Sequence, residues 1–440
     1  MNDIVQITYD KQTLDNGLDV IVHVDHSCPI VAVNIWYHVG SKNEQPGRTG
    51  FAHLFEHLMF EGSEHHDQGY FSPLQEAGGA LNGSTSADRT NYWEVVPTGA
   101  IHRALWMESD RMGFLLPALT PEKFETQRRV VLNERRQNYE NRPYGMVPMA
   151  VMPALFPAGH PYKWPTIGET EDLTAADFDD VREFFKTYYH PGNASLVLAG
   201  DIDTAEGFDL ARHYFGEIPT GPTRPEVDVS DSPSSDRPRL LLKDRVELPR
   251  LYLSWRSPRL FGEGDAALDL LATILSSGKS SRLYRRLVHD TEIATDVSVG
   301  QGSRELAGIF SVVATAAPGH PLTELETAIT DELNQLLHDG PSDDEVQRSQ
   351  ATVEADFAYR LQSVGGFGGR SDQLNAYNTY VDDPGYFDVD LARYTMADSA
   401  AIRSSAQTCL TEQGRVALSV IPDDAELSVG LADSDIVDVA

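Results

Sequence analysis

The chain has 440 residues, enough for two domains of about 200 each, and its 41% hydrophobic and 23% charged residues are ordinary for a globular protein. With 35 Lys and Arg against 67 Asp and Glu, the net charge is −32 at pH 7. That balance argues against a nucleic-acid partner and for cationic or charge-balanced peptides, although an acidic surface also raises solubility by itself. No run of 18 apolar residues is present, so no membrane span is expected, and Cys28 and Cys409 are too few and too far apart in sequence for a disulfide framework and are expected as free, buried thiols.

Met1 to Ile4 carries neither a basic segment nor an apolar signal core, so cytoplasmic residence is expected; a processed periplasmic chain given a new methionine would look the same. Val20 to Trp36 reads as β-type runs. The next segment carries the chemistry. In His53-Leu54-Phe55-Glu56-His57 the two histidines stand at i and i+4 and stack on one helix face, so both rings can reach one ion at about 2.0–2.1 Å. Glu56 lies close enough to take a proton from a water that zinc has acidified to a pKa of about 7, and to pass it to a leaving amine. Water attack on an amide is the implied reaction. The same pentapeptide also suits a buried amphipathic helix whose polar groups satisfy one another, since Phe51, Leu54, Phe55, Leu58 and Met59 form an apolar stripe.

A catalytic zinc takes three protein ligands and keeps one open position, so a third ligand must come from elsewhere. The best candidate is Glu134, in the charged helical stretch 124–136, with 76 residues between it and His57. At this point the sequence resembles the pitrilysin/insulinase family of inverted-motif zinc peptidases, which pair H-x-x-E-H with a glutamate ligand at this distance. The resemblance runs nearly the full length. Thr13 to Leu18 and Val20 to Val24 look like its first hairpin, and Gly50-Phe51-Ala52 leads into the metal helix. Gly78 to Ser86 with Thr90, Tyr92 and Pro97 is similar to its substrate-strand segment. His160-Pro161-Tyr162, Thr166-Ile167-Gly168, Tyr189 to Asn193 and Ser280 to Tyr284 match further family punctuation.

The resemblance implies an α+β fold of two duplicated α/β halves forming a clam-shaped half-chamber, one Zn2+ per chain held by His53, His57 and Glu134, and Glu56 as the catalytic base. Other divalent ions suit the same ligands. Peptide substrate would add as a strand to an exposed edge at Gly79, Ala80, Leu81 and Asn82, unless that segment is only a turn. The expected boundaries are a zinc-bearing domain at 1–217, a Pro-rich linker at 218–238 and a metal-free homologous domain at 239–440. Each half opens with strands, Val20 to Trp36 or Leu240 to Trp255, and carries a late strand, Leu196 to Ala199 or Ile309 to Thr315.

Two departures bear on function. Many family members carry a second glutamate seven residues before the ligand glutamate; here it is Gln127, which can hydrogen-bond to a ligand but adds no charge. Members that work with one such chain also place an arginine and a tyrosine in the second half, and those positions fall on Val288 and Thr295. Removing an oxyanion donor costs about 100- to 1,000-fold in rate. The resemblance therefore implies a zinc metalloendopeptidase subunit that pairs with a homologous metal-free subunit supplying arginine and tyrosine, with a homodimer as the other arrangement if Arg282, Tyr284, Arg285 or Arg286 acts from a shifted register. A catalytically idle core-type assembly subunit is the alternative. Elsewhere, Gly365 to Gly369 reads as a hinge or flexible loop, His65 and His66 as solvated surface, Phe184, Phe185, Tyr188 and Tyr189 as core packing, and Asp433 to Asp438 as a frayed acidic tail.

Overall fold

The β-branched runs of the sequence become the central strands of two six-stranded sheets in a computed structural model that describes residues 7–227, 229 and 238–439. In the first sheet, β1 (Asp10–Thr13), β2 (Asp19–Val24), β3 (Ile30–Tyr37), β4 (Ala80–Thr85), β5 (Thr90–Pro97) and β6 (Ala194–Gly200) lie in the order β1-β2-β6-β3-β5-β4. Only β2 and β6 pair in parallel. β2, β3 and β6 are buried along almost their whole length, which explains why they read as continuous apolar runs and not as alternating ones.

The second sheet comprises β7 (Arg239–Asp244), β8 (Arg250–Ser257), β9 (Ala294–Gly302), β10 (Gly308–Ala316), β11 (Val416–Pro422) and β12 (Asp435–Ile436), in the order β12-β7-β11-β8-β10-β9. Five strands of each sheet share one topology: β2-β6-β3-β5-β4 and β7-β11-β8-β10-β9 visit the same places in the same chain order, with the parallel pair in the same place. The duplication is therefore visible in the strand order itself. It also corrects one equivalence. The counterpart of Leu196 to Ala199 is β11, whereas Ile309 to Thr315 lies in β10, the hairpin partner of β9. The acidic tail is not frayed throughout, since Asp435–Ile436 pairs with β7.

The chain forms two compact units that are not contiguous in sequence. One holds the described parts of Met1–Glu134, Trp164–Asp228 and Asp356–Val389; the other holds those of Arg135–Lys163, Val229–Ala355 and Asp390–Ala440. Compactness thus differs from the contiguous boundaries at 217 and 239: residues 135–163 and 356–389 each join the unit opposite to the half they come from. Of the linker expected at 218–238, residues 228 and 230–237 lie outside the described residues.

In the first unit, the helix Arg370–Val381 is fixed to the sheet through a buried polar chain. Asn375 Nδ2 donates to the Asn34 backbone carbonyl and to Asn34 Oδ1, each at 2.9 Å, and Ser195 Oγ donates to Asn375 Oδ1 at 2.5 Å. Gly365 is no hinge. A side chain there would meet Ala32 Cβ and Val95 Cγ2, each at 2.6 Å, so its missing Cβ lets the backbone lie against the sheet. Phe184, Phe185, Tyr188 and Tyr189 are buried, and Phe184, Phe185 and Tyr189 pack around Phe55. Cys409 is partly buried as a free thiol, but Cys28 is exposed, contrary to expectation, because it stands in the short turn between β2 and β3.

Candidate metal centre

The helix that bears the motif, α1 (Phe51–Leu58), starts abruptly. Gly50 adopts φ 88°, and a side chain on it would meet Leu173 Cδ2 at 2.8 Å and Gly168 Cα at 3.1 Å. Gly168 presses back, with a hypothetical Cβ only 2.4 Å from Gly50 Cα. Two glycines far apart in sequence are thus required by one close backbone approach. The exposed N–H groups of the first turn are met by Glu44, whose carboxyl accepts from Gly50 N at 3.0 Å and Ala52 N at 2.8 Å. Burial pushes the Glu44 carboxyl up to about 8, against the pull of those two N–H groups.

Phe51, Leu54, Phe55 and Leu58 bury one face of α1, and this leaves His53, Glu56 and His57 directed elsewhere. The histidine rings are 4.9 Å apart and nearly perpendicular. Glu134 arrives from α4, which is the fourth helix in a series with α2 (Phe71–Glu76) and α3 (Ile101–Ala118) and spans Pro121–Arg135. Its Oε2 lies 3.3 Å from His57 Nε2 and 3.7 Å from His53 Nε2.

Ligands 2.0–2.1 Å from a tetrahedral zinc are separated by about 3.3–3.4 Å; the His57–Glu134 pair matches that separation, the His53–Glu134 pair is wider, and all three ligand atoms lie within 4.8 Å of one another, so two imidazole nitrogens and a carboxylate oxygen fit the ion in number and chemistry. Among the described residues this is the one group of three such side chains close enough to hold a metal. Burial and the neighbouring His57 imidazole push His53 below the usual histidine range. Burial would lower His57 too, but Glu134, Glu56 and Gln127 together hold it above.

Glu56 accepts a hydrogen bond from the Thr85 hydroxyl at 2.7 Å. Burial raises its carboxyl above the ordinary value, and the Thr85 bond opposes the rise. Gln127 Nε2 donates to Glu61 Oε1 at 2.5 Å. Thr85, Glu44 and Glu61 were not singled out from the sequence. Only Glu61 had a readable signal, as the next i+4 step after 53 and 57. β4 is the edge strand of its sheet, paired to β5 alone, with Ala80 and Asn82 exposed and Leu81 half-buried. Gly79 is held by its own packing: its N–H reaches Leu74 O at 2.8 Å, and a Cβ there would meet Leu74 O and Val96 Cγ1, each at 2.9 Å.

In the second unit, Val288 packs partly buried against the core, and the Thr295 hydroxyl bonds to Thr315 O at 3.4 Å. Arg282 is committed to a fork on Glu345, at 2.7 and 2.8 Å, and Arg286 to Asp331 and Glu332. His65 bonds to Asp110 at 2.5 Å. No helix among the described residues is long and apolar enough to cross a membrane.

Residues 19–166 match the family model described as insulinase (peptidase family M16), and residues 175–353 match the model described as the peptidase M16 inactive domain. The zinc protease PqqE of Helicobacter pylori is 29% identical over 81% of this chain and 80% of its own length. The crystal structure of a protease from Helicobacter pylori superposes with TM-score 0.87 at 25% identity, covering 95% of this chain and all of that one. Pitrilysin superposes with TM-score 0.75 at 19% identity over 96% of this chain but 45% of its own, so the likeness there is one of fold and spans a little under half of the longer protein. The inverted motif, the duplicated sheet topology and the two matching family models have one explanation: the chain belongs to the M16 family, the insulinase and pitrilysin peptidases.

Proposed function

We propose that this chain is a zinc metalloendopeptidase that hydrolyses peptide bonds in unfolded or small peptides, working as the zinc-bearing subunit of a dimer. The observation that carries the reading is the convergence of His53, His57 and Glu134 beside a Glu56 that none of the three ligands occupies. When bound, zinc supplies Lewis acidity, which favours ionisation of water and polarises an amide carbonyl. Glu56, raised by burial and held by Thr85, accepts the proton of the attacking water and delivers it to the leaving amine. The free edge of β4 at Gly79 to Asn82 accepts an extended peptide as a further strand through main-chain hydrogen bonds, which makes recognition weakly selective for side chains.

The partner follows from what the second half lacks. Val288 and Thr295 offer no guanidinium or phenol, and Arg282 and Arg286 are held by carboxylates. A metal-free relative would supply the arginine and tyrosine that bind the substrate backbone. The same lack favours a second reading, a catalytically idle assembly subunit.

One experiment separates the two. Zinc content and hydrolysis of an unstructured peptide are measured for the purified chain and for the complex recovered with it from its host, with Glu56→Gln as control. The expected result is zinc in both samples, activity at least about 100-fold higher in the complex, and loss of that activity in the variant. Zinc-free chain, or a zinc-loaded complex without activity, supports the idle subunit. A homodimer with full activity removes the partner from the proposal.

A further inference from the structure

We infer that Asn91 is a positioning residue for the general base: it fixes the end of β4 that carries Thr85, and Thr85 holds Glu56. The inference rests on the peptidase reading above. Ser84 and Thr85 are consecutive residues of β4, so their side chains leave opposite faces of the sheet. On one face the Thr85 hydroxyl donates to Glu56 Oε2 at 2.7 Å; on the other the Ser84 hydroxyl donates to Asn91 Oδ1 at 3.2 Å. Whatever fixes Ser84 therefore fixes the direction in which Thr85 points.

The hydrogen bonds around Asn91 have a single sense. Arg89 Nη1 reaches Ser84 Oγ at 2.6 Å and Ser84 O at 2.8 Å. A guanidinium only donates, so the Ser84 hydroxyl accepts from it and gives its own proton to Asn91. Asn91 thus turns its oxygen toward Ser84, and its Nδ2 donates to Asn34 Oδ1 at 3.2 Å. Asn34 Oδ1 also accepts from Asn375 Nδ2 at 2.9 Å, and Asn375 Oδ1 accepts from Ser195 at 2.5 Å. The chain runs from β4 through β5 and β3 to the helix Arg370–Val381 and β6, and Asn34, Asn91 and Asn375 are fully buried. Buried amides linked in this way are satisfied together in one alignment of the strands and are costly in any other.

β4 needs such a pin. It is an edge strand paired to β5 alone, and its sequence, Ala80 to Thr85, is too small and polar for apolar burial to set the register. In the observed register Ser84 stands opposite Asn91. A slip of one residue would part that pair and turn Thr85 to the other face, away from Glu56.

The test is kcat at saturating unstructured peptide, with zinc content, for the complex recovered with the chain from its host, in wild type, Asn91→Leu, Thr85→Val and the double variant. Leucine is close to asparagine in size and makes none of its hydrogen bonds. Asn91→Leu is expected to lower kcat about three- to tenfold with zinc at the wild-type level. In the Thr85→Val background the same change is expected to cost no more than about twofold, because the bond through which Asn91 acts is already gone. A residue that only supports the fold would cost as much in both backgrounds. If circular dichroism shows that Asn91→Leu does not fold, Ser84→Ala, at the half-buried end of the chain, takes its place in both backgrounds with the same expected pattern. A loss that persists undiminished beside Thr85→Val, or a single variant with unchanged kcat, overturns the inference and leaves the peptidase reading standing. A wild-type complex without zinc or without activity overturns both.

Discussion

Glu56 is oriented by the single hydroxyl of Thr85, donated across from the end of β4 at 2.7 Å. A hydrogen bond to a charged group contributes about 1.5–3 kcal/mol, and 1.4 kcal/mol is about a factor of ten in rate. Thr85→Val keeps the shape of the side chain and removes the donor. Hydrolysis by the active complex is expected to fall about tenfold or more, mostly in kcat, while zinc content stays at the wild-type level because the Thr85 hydroxyl bonds to Glu56 and not to the proposed ligands. A variant that loses zinc and activity together would show instead that Thr85 supports the fold of the site. The residue scale is also where the sequence was most and least informative. His53, His57 and Glu56 are legible because one helix presents them at a fixed spacing, whereas Thr85 and Gly168 matter only through contacts between segments that no local pattern records. A buried group shows the same limit. Arg111 bonds to Glu108 and is stacked between Tyr70 and Tyr92 at 3.9 and 4.1 Å, with Glu94 alongside. Nothing in the spacing of those residues announces that they share one pocket of the core.

Elements are tied together in the second unit by a capping box. The helix Asp343–Arg360 is preceded by Ser342, whose hydroxyl and N–H donate to Glu345 Oε2 at 2.9 and 2.8 Å, while Glu345 N–H reaches back to Ser342 Oγ at 3.4 Å. The same carboxylate receives the Arg282 fork, so one side chain caps a helix and anchors the loop of the Ser280 to Tyr284 motif. Arg282, then the Ser342 donors, hold Glu345 at about 2, below its ordinary 4.5. A depressed carboxyl stabilises the folded state above its unfolded value, and that stability is lost as pH falls through the interval from about 4.5 to about 2. Urea unfolding of the chain and of Glu345→Gln is therefore expected to differ most at neutral pH and to converge as pH falls through that interval. A difference constant with pH would mean that Gln retains whatever Glu345 contributes.

The elements themselves were partly legible. Val20 to Trp36 and Leu240 to Trp255 resolve into β2–β3 and β7–β8, because apolar runs, rich in β-branched residues in the first half and in leucine in the second, suit strands buried within a sheet. β11 went unrecognised as the late strand of the second half, although Val416–Pro422 is as apolar as β6, because β10 offered a similar run earlier in the chain. The regrouping of 135–163 and 356–389 left no local trace either, since it depends on which unit a helix packs with and not on whether it forms.

At the scale of the whole molecule, a net charge of −32 accompanies the edge strand β4, the proposed substrate edge, where a peptide added as a strand would be held mostly through its main chain. Main-chain pairing treats all sequences alike, so discrimination among peptides falls to the field of the protein. An acidic chain of this size concentrates cationic peptides near its surface and repels acidic ones, and it does so through association, not through the chemical step. The screening length is about 10 Å at 0.1 M salt and about 3 Å at 1 M, so the effect must fade across that range. For the active complex, kcat/KM should therefore be higher for a lysine-rich unstructured peptide than for a glutamate-rich one of equal length at low salt, with similar kcat, and the gap should close toward 1 M. If the preference survives high salt, it belongs to a pocket in contact with substrate side chains. If it appears in kcat, the charge acts on the reacting groups. If no preference exists at any salt, the acidic surface serves solubility, and sequence tolerance at the β4 edge is complete.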